Sequence, residues 1–256
     1  GRDLNVTSNG TVDTLQLGTA GTPLTIGTAG TTDPATKKLD INSNPLLETI
    51  IADGISSVAS YVNVSSNANL AYAGMNGLET VGTYLHFNSN GSDVTASDPV
   101  PYYRLTGLTS VGDWLRFQGN GGVRTVTLGT TGTAFTVGAT GGSNYLIIDG
   151  NANLTTFTAA GLTSVGNYVS ASGNAALVSL NIPELTTIGS YFSVSSNARL
   201  ESFDMPALST VGSYLTLSNN GDSATGSTPT YAFPGLTSVG RDLNVTSNGT
   251  VDTLQL

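Results

Sequence analysis

The sequence contains no cysteine, a single histidine and a single tryptophan, and only 10% of its residues are charged. Without cysteine there is no disulfide, no thiolate nucleophile and no cysteine-ligated metal. Soluble globular domains draw about 25% of their residues from the charged set. The polar surface of this chain must therefore come from serine, threonine and asparagine, a composition that favours secreted β-structure over a cytosolic enzyme.

Basic residues are also scarce, with 8 lysines and arginines against 17 aspartates and glutamates and a net charge of -9. This balance argues against nucleic acid and anionic membranes as partners, because both require basic patches. No stretch approaches the roughly 18 consecutive apolar residues of a membrane span, so we expect no membrane insertion. The chain starts at Gly1 without a signal peptide, and we expect it to be a mature piece or a fragment.

A long internal repeat links the two ends of the sequence. Residues 1–17 and 240–256 both read GRDLNVTSNGTVDTLQL, at an offset of 239 residues. Identity over this length predicts that the parent protein repeats with this period, and a deliberately duplicated end is the second interpretation. We therefore interpret residues 1–239 as one period and residues 240–256 as the start of the next, with no separate domain.

A shorter repeat divides this period. The pattern V/I-G-x-Y-L-x-V-x-x-N returns along the chain, most often after 23 residues and otherwise after 28 to 35. Its asparagines predict nine coils per 239-residue period, with loops inserted in the longer coils. They are Asn9, Asn44, Asn67, Asn90, Asn120, Asn151, Asn174, Asn197, Asn220 and Asn248.

The best-preserved coil, residues 177–197, predicts short strands joined by corners. Phe192 and Val194 alternate with polar residues, which is the period of a strand with one buried face. Pro183 and Gly189 predict corners, because proline cannot donate to a strand ladder and glycine accepts a positive φ. No apolar stripe with the 3.6-residue period of a helix persists along the sequence.

A single coil cannot bury its own apolar face, so the coils must stack on one another. At a strand spacing of about 4.8 Å, nine coils advance about 43 Å. The sequence therefore predicts an all-β fold, an elongated β-solenoid of about nine 23-residue coils per 239-residue period. Leu180, Leu185 and Val194 should point inward in registered stacks, with Tyr191 pointing outward.

The repeat resembles two kinds of leucine-rich repeat. Residues 185–200 and 208–219 carry an L-x-x-[VI]-G-x-Y run that is similar to the receptor L-domain, and residues 177–189 resemble the BspA-like repeat of bacterial surface proteins. The resemblance implies a cell-surface or adhesive role. It carries over no ligand residues, because the cysteines of receptor L-domains are missing. It covers the chain apart from four inserted segments, at 18–36, 91–104, 129–143 and 221–232.

Two rows of side chains are the candidate sites. We interpret the asparagine row as a structural ladder, in which each side chain bonds backbone groups of adjacent coils. An aromatic row occupies one outward position in seven of nine coils, interrupted at Asp3 and Lys38. Such a row is suited to bind glycans or a neighbouring rod, and the alternative is a ladder that only stiffens the solenoid. The aromatic row comprises Tyr61, Tyr84, Trp114, Tyr145, Tyr168, Tyr191 and Tyr214.

Catalysis and metal binding have few candidate residues. His86 has no nucleophile or carboxylate at a recognisable spacing, so we expect no enzyme and no catalytic residue. Asp93, Asp98 and Asp222 lie in inserted loops without the spacing of a calcium-binding loop. We therefore expect neither a metal nor a cofactor.

The functional expectation is an extracellular or cell-surface structural protein. It would form a fibre, stalk or surface filament by end-to-end continuation of its coils, with further copies of itself as partners. The alternative is a surface adhesin that binds glycans or proteins through the aromatic row.

Overall fold

A computed structural model describes residues 3–19, 21–27, 37–95, 100–138, 143–223, 230–249, 251 and 253–255. These residues form 29 β-strands, numbered β1 to β29 in chain order, and contain no helix. The strands pair in parallel and build three long sheets. The predicted all-β solenoid is confirmed.

Each sheet takes every third strand of the chain. The first sheet contains β1 (Leu4–Thr7), β4 (Leu39–Asn42), β7 (Val62–Ser65), β10 (Leu85–Asn88), β13 (Leu115–Gln118), β16 (Leu146–Asp149), β19 (Val169–Ser172), β22 (Phe192–Ser195), β25 (Leu215–Ser218) and β28 (Leu243–Thr246). The second contains β2 (Thr14–Gln16), β5 (Thr49–Ile51), β8 (Tyr72–Gly74), β11 (Tyr102–Leu105), β14 (Thr125–Leu128), β17 (Thr156–Ala159), β20 (Ser179–Asn181), β23 (Ser202–Asp204), β26 (Thr230–Ala232) and β29 (Thr253–Gln255). The third contains β3 (Leu24–Ile26), β6 (Ile55–Val58), β9 (Thr80–Val81), β12 (Ser110–Val111), β15 (Phe135–Val137), β18 (Leu162–Val165), β21 (Thr187–Ile188), β24 (Thr210–Val211) and β27 (Ser238–Val239).

The core lies inside the three sheets and runs along the whole stack. One strand from each sheet forms a coil, and equivalent residues of successive coils are paired, so apolar side chains stack on apolar side chains. In the first sheet Leu85 of β10 pairs with Val62 of β7 on one side and Leu115 of β13 on the other, and all three are fully buried. The hydrophobic effect therefore stabilises the stack of coils and not any coil alone.

The coil at residues 177–197 follows the predicted alternation. Leu180, Leu185 and Val194 are fully buried, whereas Tyr191 is partly exposed. These inward and outward positions agree with the prediction from the sequence.

The four inserted segments contribute more to the coils than the sequence indicated. Each contains or overlaps a paired strand of the solenoid, namely β3, β11, β15 and β26. In β15 the side chains of Phe135 and Val137 are buried in the core, and β15 pairs with β12 and β18. The described strand of each segment therefore completes a side of a coil.

Candidate functional site

The asparagine row lies at the corner that follows each strand of the first sheet. At this corner Ser196 has φ 57°, and in every other coil the residue before the asparagine, a serine, glycine or asparagine, also has positive φ. This left-handed turn is accessible to glycine and to small polar residues. It directs the next side chain, that of Asn197, into the interior. The asparagines that are fully buried are Asn44, Asn67, Asn90, Asn120, Asn151, Asn174, Asn197 and Asn220.

Each buried asparagine bonds both neighbouring coils. The backbone N–H of Asn174 donates to Oδ1 of Asn197 at 3.0 Å, and its Nδ2 donates to the same oxygen at 3.2 Å. The second proton on Nδ2 goes to the backbone carbonyl of Ile148 in the preceding coil, at 2.7 Å. Buried polar groups need such partners, and here one side chain satisfies donors and acceptors of three coils.

The asparagine ladder has a direction. In the bonds between asparagines, the backbone N–H and Nδ2 donate toward the C-terminal end of the solenoid, and Oδ1 accepts from the N-terminal side. At one end Asn9 donates twice to Oδ1 of Asn44, at 3.0 Å in both bonds. At the other end Asn248 accepts from the backbone and the side chain of Asn220, at 3.1 and 3.0 Å. The two ends of the ladder are therefore different and complementary.

The aromatic row lies immediately before the strands of the first sheet, and six of its rings form one stack. Successive ring centroids are 4.3 to 5.6 Å apart, and the planes differ by no more than 20°. The stacked rings are those of Tyr61, Tyr84, Trp114, Tyr145, Tyr168 and Tyr191. Within this stack the rings cover one another's faces, so the row presents mainly ring edges and hydroxyl groups to solvent.

Cationic side chains lie against the aromatic row. The Lys38 ammonium is 5.4 Å from the centroid of Tyr61, and the Arg116 guanidinium is 5.1 Å from that of Trp114. Arg241 lies 5.6 Å from the ring of Tyr214, the exposed member of the row. Cation–π contacts of this kind stabilise exposed sites by about 0.5–1 kcal/mol. They occupy part of the remaining ring surface.

Burial in the stack also changes the acidity of its phenols. It raises the pKa of Tyr168 to about 12, with the neighbouring phenol of Tyr191 acting in the same direction. The phenol of Tyr168 thus stays neutral and available as a hydrogen-bond donor at physiological pH.

His86 lies outward on β10, beside Arg116 on the paired strand β13. Its ring meets that of Trp114 edge to face at a centroid distance of 5.3 Å. Burial, together with the Arg116 charge, lowers the pKa of His86 to about 4. The imidazole is therefore neutral at pH 7. On the other side, His86 is paired with Asn63 of β7.

The carboxylates considered for calcium do not come together in the described part of the chain. Asp93 accepts a hydrogen bond from the hydroxyl of Ser92 at 3.0 Å, and both residues are exposed. Asp98 lies outside the described residues, and Asp222 belongs to a different loop. No group of three histidine, cysteine, aspartate or glutamate side chains is placed to hold a metal among the residues described. Within the same residues there is no helix long and apolar enough to cross a membrane.

Two tyrosines escaped the sequence analysis. Tyr72 and Tyr102 lie outward on the second sheet, paired with each other in adjacent coils. They are separated by 30 residues because one inserted loop intervenes, so their alignment is hidden when coils of 23 residues are assumed. The two tyrosines align when the strands of the second sheet are matched to each other. They do not align when residues are counted from the preceding asparagine of each coil.

Comparisons of the chain with protein-family models, with curated proteins and with solved structures give no match. The parallel strands in three stacked sheets nevertheless establish a tandem-repeat β-solenoid.

Proposed function

We propose that this chain is a segment of an extracellular structural repeat protein that forms a fibre, stalk or surface filament. The observation that best supports this proposal is the direction of the asparagine ladder. Its first member, Asn9, donates to the next coil, and its last member, Asn248, accepts from the coil before it, so the two ends could bond to each other. The N-terminal and C-terminal coils of the chain also have the same sequence, in residues 1–17 and 240–256. In this proposal, a coil added at either end comes from another copy of this repeat, in the same chain or in a neighbour.

The last coil supports this proposal through its exposed apolar side chains. Leu243 and Val245 of β28 are 38% and 37% exposed, whereas their paired neighbours Leu215 and Leu217 are fully buried. Leu254 of β29 is 40% exposed. These side chains lie at an open edge of parallel strands, which is a template for further pairing. A following coil would bury them as the interior coils are buried.

The direction of the ladder restricts how copies join. Coils that continue head to tail place N–H donors against Oδ1 acceptors, as between Asn220 and Asn248. Coils meeting head to head or tail to tail would place like groups opposite each other and leave them unpaired, which costs about 1–3 kcal/mol for each buried group. Such heterologous contacts do not close and therefore generate filaments.

The surface location and the kinship with leucine-rich repeats are part of the proposal. They rest on the low content of charged residues and the L-x-x-[VI]-G-x-Y run. The alternative function, an adhesin that binds through the aromatic row, receives less support from the geometry. The stacked rings cover the faces that a flat ligand would need, and the exposed ring of Tyr214 already has Arg241 beside it.

Sedimentation velocity over a range of concentrations, with negative-stain electron microscopy, tests the proposal on the 256-residue chain. We expect rods that lengthen with concentration. Val245→Lys places a charge on the end face and should leave short monomers. Thr216→Lys adds the same charge at an outward position of β25 and should polymerise like the parent. A parent chain that stays monomeric at high concentration, or a Val245→Lys chain that polymerises equally, contradicts assembly by stacked coils.

A further inference from the structure

The outward face of the second sheet carries a column of small hydroxyl residues that two tyrosines interrupt. One residue from each strand contributes to this column, and the strand pairing sets its order. It reads Thr14, Thr49, Tyr72, Tyr102, Thr125, Thr156, Ser179, Ser202, Thr230 and Thr253. Neither tyrosine contributes to the core, because both side chains lie on the outer surface. The two large aromatic side chains therefore stand out from the small residues of the column.

The tyrosine pair differs from the aromatic row in how its rings meet. Tyr72 and Tyr102 lie 5.5 Å apart with planes at 65°, an edge-to-face contact. Such a contact covers one ring face only, whereas the stacked row covers a face at every step. Tyr102 is 41% exposed. The Arg104 guanidinium lies 5.9 Å from the centroid of Tyr102, so the aromatic surface of the pair has a cation at its border.

A glycine opens the surface next to the pair. In the adjacent outward column Gly74 lies between Ile51 and Arg104, so this position has no side chain. The result is a cavity of about 390 Å³, within the range of small-molecule sites. Its walls include Ile51, Asp53, Tyr72, Asn76 and Tyr102.

Two further cavities continue the first one in both directions. Tyr72 is also a wall of a cavity of about 250 Å³, with Glu48 and Asp93. Tyr102 is also a wall of a cavity of about 300 Å³, with Arg104 and Val100. Because the tyrosines are shared walls, the three cavities are adjacent, and together we name them the tyrosine groove.

The polar groups of the tyrosine groove are fixed and carry both signs of charge. Asp53 Oδ1 accepts from the backbone N–H and the side-chain amide of Asn76, at 2.8 and 3.0 Å, which holds the carboxylate in place. Glu48 and Asp93 add negative charge at one end of the groove, and Arg104 adds positive charge at the other. The three carboxylates repel an anionic ligand, and the mixture of acceptors and donors suits a ligand with many hydroxyl groups.

We infer that the tyrosine groove binds a neutral oligosaccharide or polysaccharide, with pyranose rings against Tyr72 and Tyr102. A pyranose has an apolar C–H face that packs on an aromatic ring and a rim of hydroxyl groups that both donate and accept. Carboxylates accept from those hydroxyls, the Arg104 guanidinium donates to them, and the amide of Asn76 is suited to either. Three adjacent cavities in a row suit a chain of sugar units. This inference uses residues outside the aromatic row and does not rest on filament formation.

The test is affinity electrophoresis in native gels that contain hydroxyethylcellulose, glycol chitin, laminarin, mannan or dextran. Gels with alginate and with chitosan provide an anionic and a cationic comparison. The variant is Tyr72→Thr with Tyr102→Thr, because threonine occupies the same column in the neighbouring strands β5 and β14. This choice preserves the strands, and circular dichroism verifies the fold. Tyr214→Thr removes an exposed tyrosine elsewhere and is the matched control.

We expect at least one neutral polysaccharide to retard the parent chain and the Tyr214→Thr control. The double variant should bind that polysaccharide about tenfold more weakly or not at all. Three results would overturn the inference: no retardation by any neutral polysaccharide, equal retardation of the folded double variant, or retardation by alginate or chitosan alone. Retardation in the gels can be measured on chains that do not polymerise, such as the Val245→Lys variant. Failure of the filament proposal therefore leaves this test intact.

Discussion

Asn197 donates its backbone N–H and its side-chain amide to a single atom, Oδ1 of Asn220, at 3.1 and 3.0 Å. The same residue accepts an identical pair of bonds from Asn174. The corner of every coil is thereby tied to the corners before and after it. A row of ordinary corner residues becomes a continuous polar ladder inside the solenoid, with one chemical direction from end to end.

Replacing Asn197 with alanine should destabilise the solenoid. The substitution leaves the buried carbonyl of Ala171 and the donors of Asn174 without their partner. We expect the free energy of unfolding to fall by roughly 1–3 kcal/mol. Chemical denaturation monitored by circular dichroism measures the change. Asn181→Ala, at an outward position of β20, is the control and should change stability by less than about 0.5 kcal/mol. Equal effects of the two variants would count against a buried ladder.

The left-handed corner makes a separate prediction at Ser196, which is exposed and has φ 57°. Ser196→Val places a β-branched side chain in this conformation and should reduce the free energy of unfolding by about 1–2 kcal/mol. Ser196→Gly should be neutral or stabilising, because glycine occupies the same corner at Gly173 with φ 67°. Thermal unfolding of the two variants provides the comparison. The corner geometry is wrong if valine is tolerated as well as glycine.

The aromatic row should contribute to stability through stacking. Tyr168 stacks on Tyr145 at 4.9 Å and on Tyr191 at 4.4 Å. Tyr168→Ser removes both contacts and should lower the free energy of unfolding by about 1–3 kcal/mol, since each aromatic pair adds about 0.5–1.5 kcal/mol. Tyr168→Phe keeps the ring and should retain most of that stability. A serine variant as stable as the phenylalanine variant would mean that the stack does not stiffen the rod.

His86 should make stability depend on mildly acidic pH. Its pKa is about 4 in the folded chain and about 6.5 when unfolded, so between these values the unfolded chain binds a proton that the folded chain does not. The stability that depends on neutral His86 is therefore fully present above pH 6.5, and it is lost as the pH falls toward 4. After discounting for partial exposure, we expect a loss of roughly 1–2 kcal/mol.

Ser170 and Ser193 occupy the column of His86 in later coils, so His86→Ser is a compatible replacement. The variant should lose less stability than the parent between pH 6.5 and pH 4. Denaturation midpoints at several pH values give the comparison, in which the carboxylates contribute equally to both chains. Parallel pH profiles would show that His86 titrates normally.

Much of the fold could be read from the sequence because its signals are local and repeated. Phe192 and Val194 alternate with polar residues, and Asn174 and Asn197 are separated by one 23-residue coil. Together these patterns specify strands, corners and stacking. The third-sheet strand β15 was harder to find, since its glycine- and threonine-rich surroundings resemble a loop. Only pairing with β12 and β18 places Phe135 in the core.

The sequence by itself determined the period, the strand alternation and the asparagine at each corner, because these depend on spacing along a single chain. The tertiary structure decided which groups of different coils meet. Stacking set the direction of the asparagine ladder and covered the faces of Tyr84 and Tyr168, while strand pairing brought Tyr102 beside Tyr72. Insertions of unequal length change the distance along the chain but not the strand pairing, so contacts between coils are fixed by the register of the sheets.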